Sequence, residues 1–190
     1  LASSKTAILF ALGLGDKVVG VDQYSDYPEE AKTKASVGGY SDPSIEKIVA
    51  LNPDLILATS IHQAEIIPAL EKLGLTVVAL DPKTINEMLD SITLVGKITG
   101  KQVEATTLVT GLNKRIKAVT DKTKNLSATQ RPRVFYAVWY DPLMSSGNGT
   151  FQADLIEKAG GANVAEGISG WANISLETVV SANPEVMIAV

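Results

Sequence analysis

Residue types that do covalent chemistry are sparse in this chain. It has no cysteine and a single histidine, His62. That excludes disulfides and any single-chain metal site built from thiolates or from several imidazoles. The acids Asp22, Asp26 and Asp141 could form an acid–base cluster, yet acids at strand ends are commonly solvated, and neither a nucleophile–base pair nor a phosphate loop accompanies them. Gly13-Leu-Gly15 has glycines like those of a nucleotide fingerprint but in the reverse context, after a helix and before a strand, and it reads as a helix stop. His62 follows a strand and reads as a solvated loop histidine, with axial ligation of cobalt or iron as the sharper alternative. What remains is recognition chemistry: aromatic side chains near strand ends and two matched glutamates.

The glutamates lie in a stretch written twice. Gly39 to Ala58 aligns without a gap on Gly170 to Ala189, with Gly, Ser, Glu, Val, Asn, Pro and Ala identical. The copies are too far apart for a solenoid repeat and suggest two similar lobes. Glu46 and Glu177 fall at the same place near the start of a helix, about 100° off its apolar stripe. Each is therefore expected to be exposed. The plain role is stabilisation through the helix dipole, worth about 0.3–1 kcal/mol. The sharper role is a symmetric docking feature.

The elements that position these residues alternate. A helix capped by Ser3 or Ser4 carries Ala7, Ile8, Phe10, Ala11 and Leu12. Lys17–Val21, Asp54–Ala58 and Leu75–Leu80 read as strands. A helix capped by Ser41 or Asp42, with Pro43 near its first turn, buries Ile45, Ile48 and Val49 and ends at Asn52-Pro53. Another, kinked or restarted at Pro68, ends at Gly74. Helix and strand in this rhythm mean a parallel sheet with covering helices. From Thr84 to Leu126 there is no strand candidate; Ile85, Met88, Leu89, Ile92 and Val95 form one helical stripe, and Val103, Leu108, Leu112, Ile116 and Val119 another. A helix over Lys101–Asn125 would be about 37 Å long and could join two lobes stiffly. After Arg131-Pro132 the rhythm returns with strand Arg133–Trp139, helix Phe151–Ala159 and strand Glu185–Val190. The expected fold is α/β, with two Rossmann-like lobes of parallel sheet, residues 1–100 and 127–190, and a connecting helix over 101–126. The first helix has no strand before it and the last strand no helix after it, so the chain reads as part of a longer protein, its second lobe incomplete.

Composition narrows the partners. The chain has 190 residues, 45% of them hydrophobic, and a net charge of −4. That is enough for one or two packed cores and lacks the basic footprint of a nucleic-acid binder. No apolar run approaches a membrane span of about 18 residues, and Leu1–Phe10 lacks the layout of a signal peptide.

Several motifs, weak singly but specific in their order, carry a family resemblance over the whole chain: Ala7-Ile-Leu-Phe-Ala-Leu-Gly-Leu-Gly-Asp-Lys-Val-Val-Gly20, Tyr24-Ser-Asp-Tyr-Pro28, Ser44-x-Glu-x-Ile-Val-Ala-Leu-Asn-Pro-Asp54, Leu73-Gly-Leu-x-Val-Val78, Gly96-Lys-Ile-Thr-Gly100, Gly160-Gly-Ala-Asn163 and the second Glu-to-Asn-Pro stretch. Together they resemble the substrate-binding proteins of ABC importers for vitamin B12, ferric siderophores and haem. The resemblance implies two α/β lobes bridged by one long helix and a receptor without enzymatic activity. It also implies a periplasmic or extracellular location, with a lipid anchor possible through an upstream segment. The partner implied is a membrane permease dimer, whose arginines would meet Glu46 and Glu177.

In open α/β sheets ligands bind outside the carboxyl ends of strands. The loops expected to line a cleft between the lobes are Ser3–Lys5, Gln23–Tyr27, Thr59–Gln63, Trp139–Met144 and Gly170-Trp171. The expected ligand contacts are Tyr24, Tyr27, Trp139, Tyr140 and Trp171, whose rings suit a flat macrocycle, with Ser4 and Ser60; Tyr40 is the repeat mate of Trp171. The three arginines, Arg115, Arg131 and Arg133, fall outside these loops, and only Lys5 and His62 bring positive charge to them. An anionic siderophore would favour arginine. A cobalamin-type corrinoid, nearly neutral and edged with amides, is therefore preferred to a ferric siderophore or haem. Tyr24-Ser-Asp-Tyr-Pro28 and Trp171 also resemble the B12-binding branch, although Thr59-Ser60 stands where a tryptophan would strengthen that likeness. No catalytic cofactor is expected.

Overall fold

The computed structural model describes residues 1–189 and divides into two units; Val190, the expected end of the last strand, lies outside the described residues. The first unit comprises Leu1–Asp81 with Ser91–Leu108, and the second Pro82–Asp90 with the chain from Val109 onward.

The first unit opens with α1 (Ser3–Ala11). Neither Ser3 nor Ser4 caps it: Ala2 holds the N-cap position, and no side chain accepts a hydrogen bond there. Gly13 ends the helix at φ +72°, a left-handed conformation that glycine adopts freely. Residues Gly15–Lys17 then take a tight 3₁₀ turn, which leaves Gly20–Val21 of the expected strand as β1; it pairs in parallel with β2 (Ala35–Ser36). The next helix, α2 (Ile45–Ala50), is capped by Ser44, whose hydroxyl accepts from the Lys47 amide at 3.2 Å. Ser41 and Asp42 therefore lie before the helix, and Pro43 before its cap. Strand β3 (Ile56–Ala58) pairs in parallel with β4 (Val77–Ala79) through α3 (Ile66–Lys72). Pro68 sits in the first turn of α3, where a missing amide hydrogen costs nothing. Val37, Ile48, Ile56 and Leu70 make the core here, with Ile45, Leu51, Ile66, Leu75 and Val77 packed on it.

Helices α4 (Ile85–Ile98) and α5 (Gln102–Thr123) follow the two stripes seen in the sequence; α4 buries Ile85, Leu89, Ile92 and Val95. They approach closely at Gly96, where a Cβ would lie 2.3 Å from that of Ala105.

The second unit is built on β5 (Arg133–Tyr140). β6 (Leu143–Ser146) returns antiparallel to it, α6 (Phe151–Lys158) leads to β7 (Ala162–Asn163), and β8 (Trp171–Asn173) pairs antiparallel with β6. Helix α7 (Leu176–Ala182) and β9 (Val186–Ala189) complete it; β7 and β9 run parallel to β5. The α/β reading with parallel pairs holds in both units. The antiparallel strands β6 and β8 are additional. β6 arises because Asp141-Pro142 forms a two-residue turn that brings Leu143 opposite Tyr140, and β8 then pairs along its other edge. Phe135, Ile174 and Val179 centre this core.

The duplicated stretch folds the same way twice. Ser44 and Ser175 are the N-caps, the latter accepting from the Thr178 amide at 3.1 Å. Ile48 and Val179 are the buried residues of the two helices. Asn52 and Asn183 take left-handed conformations at φ 44° and 45°, and each is followed by a proline that cannot continue a helix. The copies differ in burial: β3 is buried throughout, whereas all four residues of β9 are exposed.

Candidate functional site

In the first unit, polar residues collect where β1, β3 and β4 end. Asp22, next after β1, is 2% exposed. Its carboxylate accepts from the Tyr24 amide at 3.0 Å and from the Ser25 hydroxyl at 2.6 Å, and Ser25 shares a hydrogen bond with the Thr6 hydroxyl at 2.9 Å. The network fastens the turn and leaves Tyr24 and Tyr27 outside, 61% and 73% exposed. Asp22 is thus a buried fastener and not a member of a solvated acid cluster. Among the described residues no three histidine, aspartate or glutamate side chains converge as a metal site.

His62 departs from the expectation of a solvated loop residue: it is fully buried. The Ser60–His62 turn folds its ring inward, edge-on to Tyr40 with centroids 5.8 Å apart. Nδ1 accepts from the Thr59 amide at 3.2 Å, so the proton resides on Nε2, which donates to the Tyr40 carbonyl at 2.7 Å. Both nitrogens are committed within the fold, which removes the lone pair that axial ligation requires. Tyr40 is the more exposed partner, its hydroxyl 3.3 Å from that of Thr59. Ser4 and Ser60 are exposed, and Ser60 donates to the Asp81 carboxylate. Lys5 is buried; burial lowers its pKa below the usual lysine value, with Asp81 acting in the opposite direction.

In the second unit, Trp139 and Tyr140 stand at the end of β5, not in a loop, and stack on each other with centroids 5.1 Å apart and planes at 29°. The Trp139 indole donates to the Asp141 carbonyl at 2.8 Å. Trp171 likewise lies in a strand, β8, opposite Ser146, and is 45% exposed. The Lys83 ammonium lies 5.0 Å from its ring centroid, a cation–π contact. Lys83 was not among the expected site residues, although its place just after β4 puts it at a strand end, which was the available signal. A separate polar cavity of about 610 Å³ in this unit is lined by Lys83, Thr84, Arg131, Thr150, Asp154 and others, but by none of the candidate aromatics. Arg131 is engaged there with the carbonyls of Glu157 and Thr123.

Glu46 and Glu177 occupy the second position of α2 and α7, and both are exposed. The Glu177 carboxyl is held below the usual glutamate pKa, first by its own backbone amide and then by the Ser175 hydroxyl. The two acids are equivalent in place, each two residues after a serine cap.

The family model described as periplasmic binding protein matches residues 1–190. A Bacillus subtilis protein described as the uncharacterized ABC transporter substrate-binding lipoprotein YvrC is 33% identical over 193 residues; the match covers 99% of this chain and 61% of that protein. The chain thus spans less than two thirds of that relative. Among solved structures, the periplasmic vitamin B12 binding protein BtuF of Vibrio cholerae superposes with a TM-score of 0.87 at 28% identity, covering 100% of this chain and 74% of its own. The apo periplasmic heme-binding protein RhuT from Roseiflexus sp. RS-1 gives 0.87 at 29% identity, with 98% and 73% covered.

Proposed function

We propose a function for a chain that belongs to the periplasmic binding protein family: it captures a cobalamin-type corrinoid outside the cytoplasm and delivers it to the permease dimer of an ABC importer. The observation that carries this reading is the set of exposed rings at strand ends, Tyr24 and Tyr27 in one unit and Trp139, Tyr140 and Trp171 in the other. Soluble proteins rarely leave so many large rings in water near strand ends without a ligand to cover them. Tyrosine and tryptophan combine flat apolar area with a polar tip, which suits a macrocycle edged with amides. Ser4 and Ser60, exposed nearby in sequence to this polar region, would supply hydrogen bonds to that edge.

A haem or ferric siderophore is the second reading. It is favoured by the equal likeness to the haem-binding neighbour and by the exposed phenols of Tyr24 and Tyr27. The burial of His62 counts against an imidazole-ligated metal in either case. For delivery, Glu46 and Glu177 are the proposed contacts with permease arginines, because matched exposed carboxylates give symmetric, salt-sensitive association. The deciding experiment titrates cyanocobalamin, hemin and ferrichrome into the chain while following fluorescence of Trp139 and Trp171. Saturable one-to-one quenching by cyanocobalamin is expected. Saturation by hemin or ferrichrome alone would replace the corrinoid, and no response to any of them would refute the receptor reading.

A further inference from the structure

Lys5 is the one lysine or arginine that is buried among the described residues, with 5% of its surface exposed. No acceptor among the described residues hydrogen-bonds its ammonium. At the same time, every sealed side-chain nitrogen or oxygen among those residues has a partner. The ammonium must therefore reach solvent at its tip while its stem is enclosed. An ammonium so placed, with its stem enclosed and no protein acceptor, leaves its donors to water or to an anion that displaces it.

Its position supplies further donors. Lys5 is the third residue of α1, and helical side chains lean back toward the helix N-terminus. That terminus is uncapped by any side chain, so the amides of Ser3 and Ser4, which have no intrahelical acceptor, are open to a ligand. The neighbouring carboxylates are accounted for. Asp22 is consumed by Tyr24 and Ser25, and Asp81, itself exposed, acts on Lys5 through space while accepting from Ser60.

We propose that Lys5, with the Ser3 and Ser4 amides, is a binding point for one anionic oxygen group, a carboxylate or a phosphate, carried by the captured ligand. That a ligand carries the group rests on the receptor reading above; the binding point itself can be tested without it. A corrinoid offers this chemistry through its nucleotide-loop phosphodiester, and a haem through its propionates.

The test uses the ¹⁵N-labelled chain titrated with sodium phosphate and with sodium citrate at constant ionic strength. Saturable shifts at the Ser3 and Ser4 amides are expected, weakened at least tenfold in Lys5→Met, which keeps the packed stem, and retained in Lys5→Arg. If Lys5→Met does not fold, Lys5→Gln takes its place. Absence of saturable shifts with either anion, or shifts of equal affinity in the neutral variant, would overturn the proposal. A second arm separates the sources. Loss of affinity in Lys5→Met for cyanocobalamin but not for dicyanocobinamide, which lacks the phosphate, assigns the phosphodiester. Loss for hemin but not for its dimethyl ester assigns the propionates. If no chelate binds while the anion shifts persist, the receptor reading fails and the anion point stands.

Discussion

Replacing His62 by phenylalanine tests the internal wiring of the first unit. Phenylalanine fills a comparable volume, so packing alone predicts little loss. The buried ring, however, satisfies two backbone groups: the buried Thr59 amide through Nδ1 and the part-buried Tyr40 carbonyl through Nε2. The orphaned buried amide costs about 1–3 kcal/mol and the part-buried carbonyl, which water can reach, at most about 1 kcal/mol more, so His62→Phe should destabilise the fold by about 1–4 kcal/mol. That is a large share of the roughly 5–15 kcal/mol typical of a domain. The assay is chemical denaturation together with native-state hydrogen exchange, in which the Thr59 amide should lose protection more than its neighbours in β3. His62→Gln, which can offer both a donor and an acceptor, should recover part of the loss. A cost below about 1 kcal/mol for His62→Phe, with Thr59 still protected, would refute the assignment of these two hydrogen bonds to the histidine ring.

Three other outcomes follow from named contacts. Ser44→Ala and Ser175→Ala should each cost about 1 kcal/mol in thermal or denaturant unfolding, because each hydroxyl satisfies a first-turn amide. Glu177 should titrate by carboxyl NMR below the usual glutamate value of about 4.3, and its midpoint should rise in Ser175→Ala. Since its folded pKa is depressed, its contribution to stability is present above the ordinary glutamate pKa and is lost as pH falls through the folded one. Glu46→Ala combined with Glu177→Ala should weaken association with the permease, most visibly at low salt, while ligand affinity measured by fluorescence stays unchanged; lost ligand affinity would refute the docking assignment.

Much of the fold could be read from the chain because its strongest signals are local. The two helical stripes became α4 and α5, and the duplicated Asn-Pro became a left-handed residue followed by a strand in both copies. The serine common to both copies, Ser44 and Ser175, is the cap in each, but the expected cap was Ser41 or Asp42. Pro43 drew the expected helix start earlier, since proline favours a first turn. Strand β6 was hidden because Leu-Met-Ser-Ser is short and follows a proline, and only its pairing with β5 and β8 makes it a strand. His62 could not be placed from sequence at all. Its burial depends on the carbonyl of Tyr40, 22 residues earlier, and no local pattern encodes that partner. Lys83 was overlooked for a similar reason, as Trp171 is remote from it in the chain. The aromatic candidates were visible as residue types, but their stacking and strand settings depend on the hairpin turn at Asp141-Pro142.

The Asp22–Ser25–Thr6 network bears on the kinetics of recognition. The turn bearing Tyr24 is fastened from beneath by a buried carboxylate and two buried hydroxyls, all of them groups of the chain itself. Loop backbone held in this way has surrendered most of its conformational freedom during folding, so little ordering entropy is left to oppose association. A planar guest meeting Tyr24 would find a surface already set. Affinity tuning at that surface would then act through the rate of departure, with the rate of arrival limited by encounter and not by a search among loop conformations.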